Sequence, residues 1–461
     1  MQPLANMNRA TAPASTKAVP PPAHTPGHGG PTDPSHDELL RRGIIHTDVS
    51  RPMAIAIVAF FLLLIFAIPV SQAVMEKARG EETMLLDIFK RAPTRENLKQ
   101  FEDDLDKASY AKDAVQPRMQ ALLTGLGRVG NKKAVVGRDG WLYYKPGITY
   151  LGGPGFLDPN ILEVRIKAAL DEGEPAGHPD PRPAIFAFND ALAKRGIKLI
   201  LFPVPDKAML QPLQLHGRGD ATQPIEVPHN PSWAPFVAEL RQRGVAVFDP
   251  APTTLNPGEP PRFLLQDTHW TPEWMDTVAR QLARFVAETA ALPPVAGQTS
   301  AATRKAVAMP VERVGDVVDM LKLPEGQTIF APQKVTVQQV QEANGTPWEP
   351  NPKADVLLLG DSFTNVFSLD SMGWGTSAGL GSHLSLALGR DVDMIAQNDS
   401  GAFATRQALA RELGGEDRLA GKKVVIWEFA SRELAVGDWK PIDWTAAMAT
   451  AATTTAGAGA R

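Results

Sequence analysis

Two short segments hold side chains that could do nucleophilic chemistry together. In Leu358-Leu359-Gly360-Asp361-Ser362-Phe363-Thr364-Asn365 an apolar run ends in Gly-Asp-Ser. A serine at the carboxyl end of a parallel strand sits at the mouth of the sheet, where α/β proteins bind ligands. Gly360 permits a sharp turn. A helix beginning there would aim backbone N–H groups at a developing oxyanion. The competing reading is a serine N-cap on an ordinary strand–helix turn, and Gly-Asp-Ser alone does not separate the two.

The second segment is Gln266-Asp267-Thr268-His269-Trp270. A serine hydroxyl needs a base to take its proton. Of the nine histidines, His24, His28, His36 and His46 precede a long apolar stretch, which leaves His178, His216, His229, His269 and His383. Only His269 has an acid two residues away in a compact, apolar-flanked turn. Asp267 could hold the imidazole in the tautomer that accepts a serine proton, and in an extended backbone a spacing of two points both side chains the same way. The alternative is a histidine in a helix N-terminal turn capped by Asp267 or Thr268. In a third segment, Trp427-Glu428-Phe429-Ala430-Ser431-Arg432-Glu433-Leu434, Arg432 could hold a substrate carboxylate or pair with Glu428; the pairing is the favoured reading.

Elements that would position these residues follow from the periodicity. From about residue 131, helices alternate with short apolar runs. Helix 183–195 ends at Gly196 and is followed by the strand 197–204. Helix 232–243 ends at Gly244 and leads into the strand 245–248. Thr271 and Pro272 mark the N-terminus of helix 271–288. Apolar runs at 355–359, 392–395 and 424–427 complete the set. The pattern predicts an α/β three-layer domain with a mostly parallel sheet over 131–440. The Gly- and Ser-rich segment 371–385 suggests only a mobile rim.

Outside that domain the composition changes. The chain has 461 residues, Lys+Arg 47 against Asp+Glu 51, 43 % hydrophobic and 21 % charged residues, and no cysteine. Disulfides, thiolate metal sites and a cysteine nucleophile are thereby excluded, and the near-neutral balance argues against nucleic acid as a partner. Residues 1–51 are rich in Pro, Ala, Gly and Thr in their first part and read as a disordered cytoplasmic tail; His24, His28 and His36 offer loose metal ligands without an ordered scaffold. Residues 52–75 carry no charge and would reach about 36 Å as a helix, enough to cross a bilayer, with Pro69 a possible kink. Their distance from the N-terminus argues for an uncleaved transmembrane helix rather than a signal peptide. Arg41, Arg42 and Arg51 lean toward an N-terminus in the cytoplasm. Residues 76–130 read as a helical stalk or first layer of the domain, and 441–461 as a disordered tail.

Gly360-Asp361-Ser362-Phe363 preceded by Asp267-Thr268-His269-Trp270 resembles the AlgX/AlgJ-like branch of the SGNH hydrolase superfamily. Gly137-Arg138-Asp139-Gly140-Trp141-Leu142-Tyr143 looks like that family's opening strand, Pro203-Val204-Pro205-Asp206-Lys207 its next strand-end motif, and Trp427 to Leu434 its closing one. Ordinary SGNH hydrolases place the acid–histidine pair after the serine; here it comes before, as in this permuted branch. The resemblance implies an SGNH-like fold and an exopolysaccharide O-acetyltransferase, alginate being the best-studied acceptor. Ser362 would be the nucleophile, His269 the base and Asp267 its orienting acid. Asn365, Asn398, Gly401 and Arg432 would be oxyanion or substrate contacts. It implies neither metal nor organic cofactor. It also implies a multi-span membrane acyltransferase of the MBOAT type as acetyl source and a periplasmic catalytic domain held on a bacterial inner membrane. The same triad would serve an acetyl esterase, and the chain could instead be a non-catalytic scaffold subunit.

Overall fold

The computed structural model describes residues 50–171, 177–217, 222–293, 303–415 and 417–449. The low-complexity stretch read from 1–36, its histidines included, lies outside these residues, as do residues 450–461. The chain divides into two compact units, one ending at Leu105 and the other beginning at Asp106.

In the first unit the helix Arg51–Arg79 continues through Pro69 and ends at Gly80, whose φ of 75° suits glycine. Among the described residues it is the one helix long and apolar enough to cross a membrane, and none of its most hydrophobic window is buried. Met53, Ile55, Phe60, Phe61 and Phe66 all face outward, the reverse of a soluble core helix. At its far end Glu76 accepts hydrogen bonds from the Gln72 side chain and the Met84 N–H.

The second unit is built on a five-stranded, wholly parallel sheet. Its spatial order is Asp393–Ala396, Val356–Gly360, Val424–Ala430, Lys198–Val204 and Ala246–Val247. Every residue of Val356–Gly360 and Val424–Ala430 is buried. Unbroken apolar runs, without alternation, are what a sheet covered on both faces requires. Helices Arg182–Ala193, Trp233–Gln242, Pro272–Thr289, Leu380–Leu388 and Ala404–Glu412 bury apolar stripes to form the outer layers. Thr271 caps Pro272–Thr289 by accepting the Trp274 N–H.

Three features depart from the periodicity-based reading. The Gly137–Tyr143 motif supplies no strand of the five-stranded sheet. It closes a small hairpin, Ala134–Val136 against Leu142–Tyr144, through a two-residue turn with Asp139 at φ 50° and Gly140 at φ 81°, the geometry that favours Asp-Gly. A long antiparallel hairpin, Lys305–Arg313 against Gln333–Gln341, was not anticipated. Its connection holds the helix Asp316–Leu321, whose Val317, Val318 and Leu321 pack with Leu142 in a second small core. Residues 441–449 are also structured: Trp444 is buried and stacks on Phe188 at 4.5 Å, so that part belongs to the domain.

Parallel strands put all their carboxyl ends on one edge. Ser362 follows one strand, Asn398 and Gly401 a second, Ser431 and Arg432 a third, and Asp206 and Lys207 a fourth.

Candidate active site

The nucleophile turn is held from below. Asp361 caps the short helix Ser362–Asn365, its Oδ1 accepting the Phe363 N–H and its Oδ2 the Ala430 N–H, both at 2.8 Å. Glu428, fully buried, accepts the Asp361 N–H at 2.9 Å and the Thr364 hydroxyl at 2.7 Å. Burial, and then the charge of Asp361, push its carboxyl well above the ordinary value, toward the neutral acid. Gly360 is required by close approach: a Cβ there would lie 2.1 Å from the Thr364 hydroxyl.

The base turn is the loop Phe263–Trp270, closed by a bridge between those two residues and by the Leu264 N–H donating to the His269 carbonyl. It is not extended. Asp267 Oδ1 accepts the backbone N–H of His269, an Asx turn, and this turn brings the two side chains together. Lys207 anchors the loop: its buried ammonium donates to the carbonyls of Leu142 and Leu264 at 2.6 Å and of Leu265 and Asp267 at 3.0 Å. Burial pushes this lysine down to about 7.

Three of the residues singled out in the sequence meet in one hydrogen-bonded chain. His269 Nε2 lies 2.8 Å from Ser362 Oγ, and His269 Nδ1 lies 2.6 Å from Asp267 Oδ1. All three residues are buried, Ser362 the least at 9 % exposure. Asp267 Oδ2 accepts the Trp374 indole N–H at 2.9 Å and the Asp316 N–H at 3.0 Å. Burial alone would raise this carboxyl, but the imidazole's charge and these donors hold it well below the ordinary carboxylate range. Burial likewise opposes the imidazolium, but the Asp267 charge and hydrogen bond keep His269 above its ordinary value. An ionised acid on Nδ1 and a serine on Nε2 are what general-base activation of a hydroxyl needs.

The remaining sequence candidates fall nearby in different roles. The Asn365 amide donates to the Asn398 side-chain oxygen at 2.8 Å, joining the two loops beside Ser362. Gly401 packs behind the nucleophile turn, where a Cβ would lie 3.1 Å from Asp361 Oδ2 and 3.0 Å from the Phe429 Cβ. Arg432 does not pair with Glu428: its guanidinium donates to Asp206 Oδ1 at 3.1 Å and stacks over Tyr144 and Phe363. Glu428 is turned to the nucleophile turn, where it takes the Asp361 N–H and the Thr364 hydroxyl, whereas Asp206 lies at the neighbouring strand end.

Sequence reasoning missed Trp374, Asp316 and Lys207. Trp374 lies in the segment read as a rim, yet it is buried against the acid. Asp316 accepts the Thr268 N–H at 2.7 Å and the Thr268 hydroxyl at 2.6 Å. Burial and the neighbouring Asp267 push its carboxyl up to about 6. Asp267, His269 and Asp316 bring potential cation ligands within 4.8 Å of one another, but the ring nitrogen on that side is already paired with Asp267.

Comparison with known proteins converges on one group. Residues 134–431 match the family model described as SGNH hydrolase-like domain, acetyltransferase AlgX. The chain is 25 % identical over 343 residues to the Pseudomonas aeruginosa protein named "Probable alginate O-acetylase AlgJ", covering 72 % of this chain and 78 % of that one. It is 26 % identical over 336 residues to the Pseudomonas fluorescens protein of the same name, covering 69 % and 73 %. Among solved structures it aligns with the O-acetyltransferase domain of Pseudomonas putida AlgJ at TM-score 0.46 and 20 % identity, over 70 % of this chain and 99 % of that one.

Proposed function

The chain belongs to the SGNH hydrolase-like acetyltransferase family typified by AlgX, and we propose that it is a membrane-anchored O-acetyltransferase acting on hydroxyls of an exopolysaccharide through an acetyl-Ser362 intermediate. The observation that carries this reading is the continuous hydrogen-bonded chain Asp267–His269–Ser362 at the carboxyl edge of a parallel sheet. Its polysaccharide specificity rests on relatives named as alginate O-acetylases, so alginate or a similar polymer is the proposed acceptor.

In the first half-reaction Ser362 Oγ attacks the carbonyl carbon of an acetyl donor while its proton passes to His269 Nε2. The tetrahedral intermediate collapses, and the leaving group takes that proton from His269 as the acetyl–donor bond breaks. In the second half-reaction a sugar hydroxyl gives its proton to His269 and attacks the acetyl-enzyme, and Ser362 recovers the proton as it leaves. The Ser362 N–H is the proposed oxyanion donor, with Asn365 or Asn398 completing the hole. The Phe363 N–H is already committed to Asp361. The Arg432 guanidinium, beside Phe363 and backed by Asp206, is the proposed contact for a uronate carboxylate.

The apolar helix Arg51–Arg79 and the resemblance to AlgJ fit a membrane-anchored protein. We place the catalytic domain on the periplasmic side of a bacterial inner membrane. A multi-span acyltransferase of the MBOAT type would supply acetyl groups there from the cytoplasm.

The test uses the full chain in detergent micelles with an aryl acetate as donor and an oligosaccharide acceptor. Acetate release that disappears in Ser362→Ala, together with acceptor mass rising by one acetyl group per modified sugar, supports the proposal. Unchanged activity in Ser362→Ala removes the serine assignment. Acetate release without acetylated sugar makes the enzyme an esterase.

A further inference from the structure

A second carboxylate stands behind the base, and a specific backbone device brings it there. Gly315 lies so close to the base turn that a Cβ would sit 2.3 Å from the Gln266 carbonyl oxygen and 2.6 Å from the Asp267 nitrogen. Only glycine lets the hairpin connection approach this far. Asp316 follows and interlocks with the turn in both directions: its N–H donates to Asp267 Oδ2, and its carboxylate takes both donors of Thr268. With its proton committed to Asp316, the Thr268 hydroxyl presents a lone pair to His269 Nδ1 at 3.1 Å. Asp316 Oδ2 itself lies 3.9 Å from that nitrogen.

We propose that Asp316 is a positioning residue of the acetyl-transfer site that acts through Thr268. It orients the hydroxyl so that the Nδ1–H of His269 is held between Asp267 Oδ1 and Thr268 Oγ1. It also adds a second negative charge behind the imidazolium formed when Nε2 takes the Ser362 proton. Above about pH 6 both carboxylates are charged in this arrangement, and no proton leaves Nδ1. The inference rests on the triad reading of Ser362, His269 and Asp267.

The charged groups around the ring come from four elements. Asp267 belongs to the base turn itself and Asp316 to the hairpin connection. Arg432, after the strand Val424–Ala430, opposes a positive ring. Lys207, after the strand Lys198–Val204, faces the two carboxylates. Removing Asp316 takes away one of the two negative charges, so the imidazolium becomes easier to deprotonate.

The experiment is the pH profile of kcat/KM for aryl acetate cleavage by the full chain in micelles, for Asp316→Asn, Thr268→Val and Thr268→Ser. In Asp316→Asn the plateau is expected to fall about tenfold, and the acid limb to move about half a unit to lower pH. Thr268→Val should lower the plateau and Thr268→Ser restore it. A folded Asp316→Asn protein that loses activity equally at every pH, or loses none, overturns the inference while leaving the triad standing if Ser362→Ala is inactive. Residual wild-type activity in Ser362→Ala overturns both.

Discussion

Asp267 in the base turn and Glu428 beneath the nucleophile turn are both buried carboxyl groups, and their titrations are pushed in opposite directions. Asp267 receives four donors over its two oxygens: the His269 ring, the His269 N–H, the Trp374 indole and the Asp316 N–H. Glu428 receives two, both on one oxygen, and its other oxygen has no hydrogen-bond partner among the described residues. Burial opposes the charged form in both. The number of donors, and the sign of the nearest charged neighbour, decide the outcome. One group is thereby held toward its anion beside an imidazole, and the other is pushed toward its neutral form beneath the serine.

The largest test of this contrast is replacement of each acid by its amide. Asp267→Asn should lower kcat by about 10⁴, because an amide NH₂ selects the wrong imidazole tautomer. Glu428→Gln should keep kcat within about threefold, since the amide oxygen still accepts from Asp361 and Thr364. Steady-state kinetics on the two variants checks both, and equal losses would erase the distinction. A smaller effect comes from thinning the donors on Asp267. Trp374→Phe should cost about 1.5–3 kcal/mol of stability in denaturant unfolding and leave a slower enzyme of unchanged triad composition.

The smallest effect has opposite signs at the two sites and follows from linkage. Asp267 has a folded value below its unfolded one, so it contributes stability above about pH 4 that is lost as the pH falls. Glu428 has a folded value above its unfolded one. Its contribution is fully present below about pH 4 and is lost as the pH rises toward the folded value. Over about pH 3 to 7, the Tm of Glu428→Gln should therefore gain on the wild type as the pH rises from 4, and that of Asp267→Asn should gain on it as the pH falls below 4. Thermal melts across that range measure both, and parallel curves would contradict the assigned directions.

The legibility of these two turns in the sequence was unequal. Ser362 could be placed because an apolar strand ends beside it. The central strands were readable throughout because doubly covered strands are continuous apolar runs. His269 was found through its neighbour Asp267, although an acid partner alone is not diagnostic: His383 also has one, Asp276, at 2.8 Å, and its Nε2 is occupied by the Gln338 carbonyl. What distinguishes His269 is a ring nitrogen left for Ser362. Trp374 and Asp316 gave no local signal, because each acts by a contact 107 or 49 residues away. The alternating pattern of Lys305–Arg313 and Gln333–Gln341 was the available clue to the hairpin that delivers Asp316. The Arg432–Glu428 pairing failed for a related reason, since proximity in sequence along a strand end does not reveal which acid the guanidinium faces.

The contacts that build the site also set when it can exist. His269 and Ser362 are separated by 93 residues, and the Asp267–Trp374 bond by 107. No segment of the chain encloses a working fragment of this chemistry, because each contact requires long loops to be closed first, with the entropy that closure costs. During synthesis the base turn emerges well before its serine. A nascent or partly folded chain therefore carries an inert histidine and cannot cleave esters prematurely. Enzymatic competence requires both of these long-range contacts, so it cannot precede them.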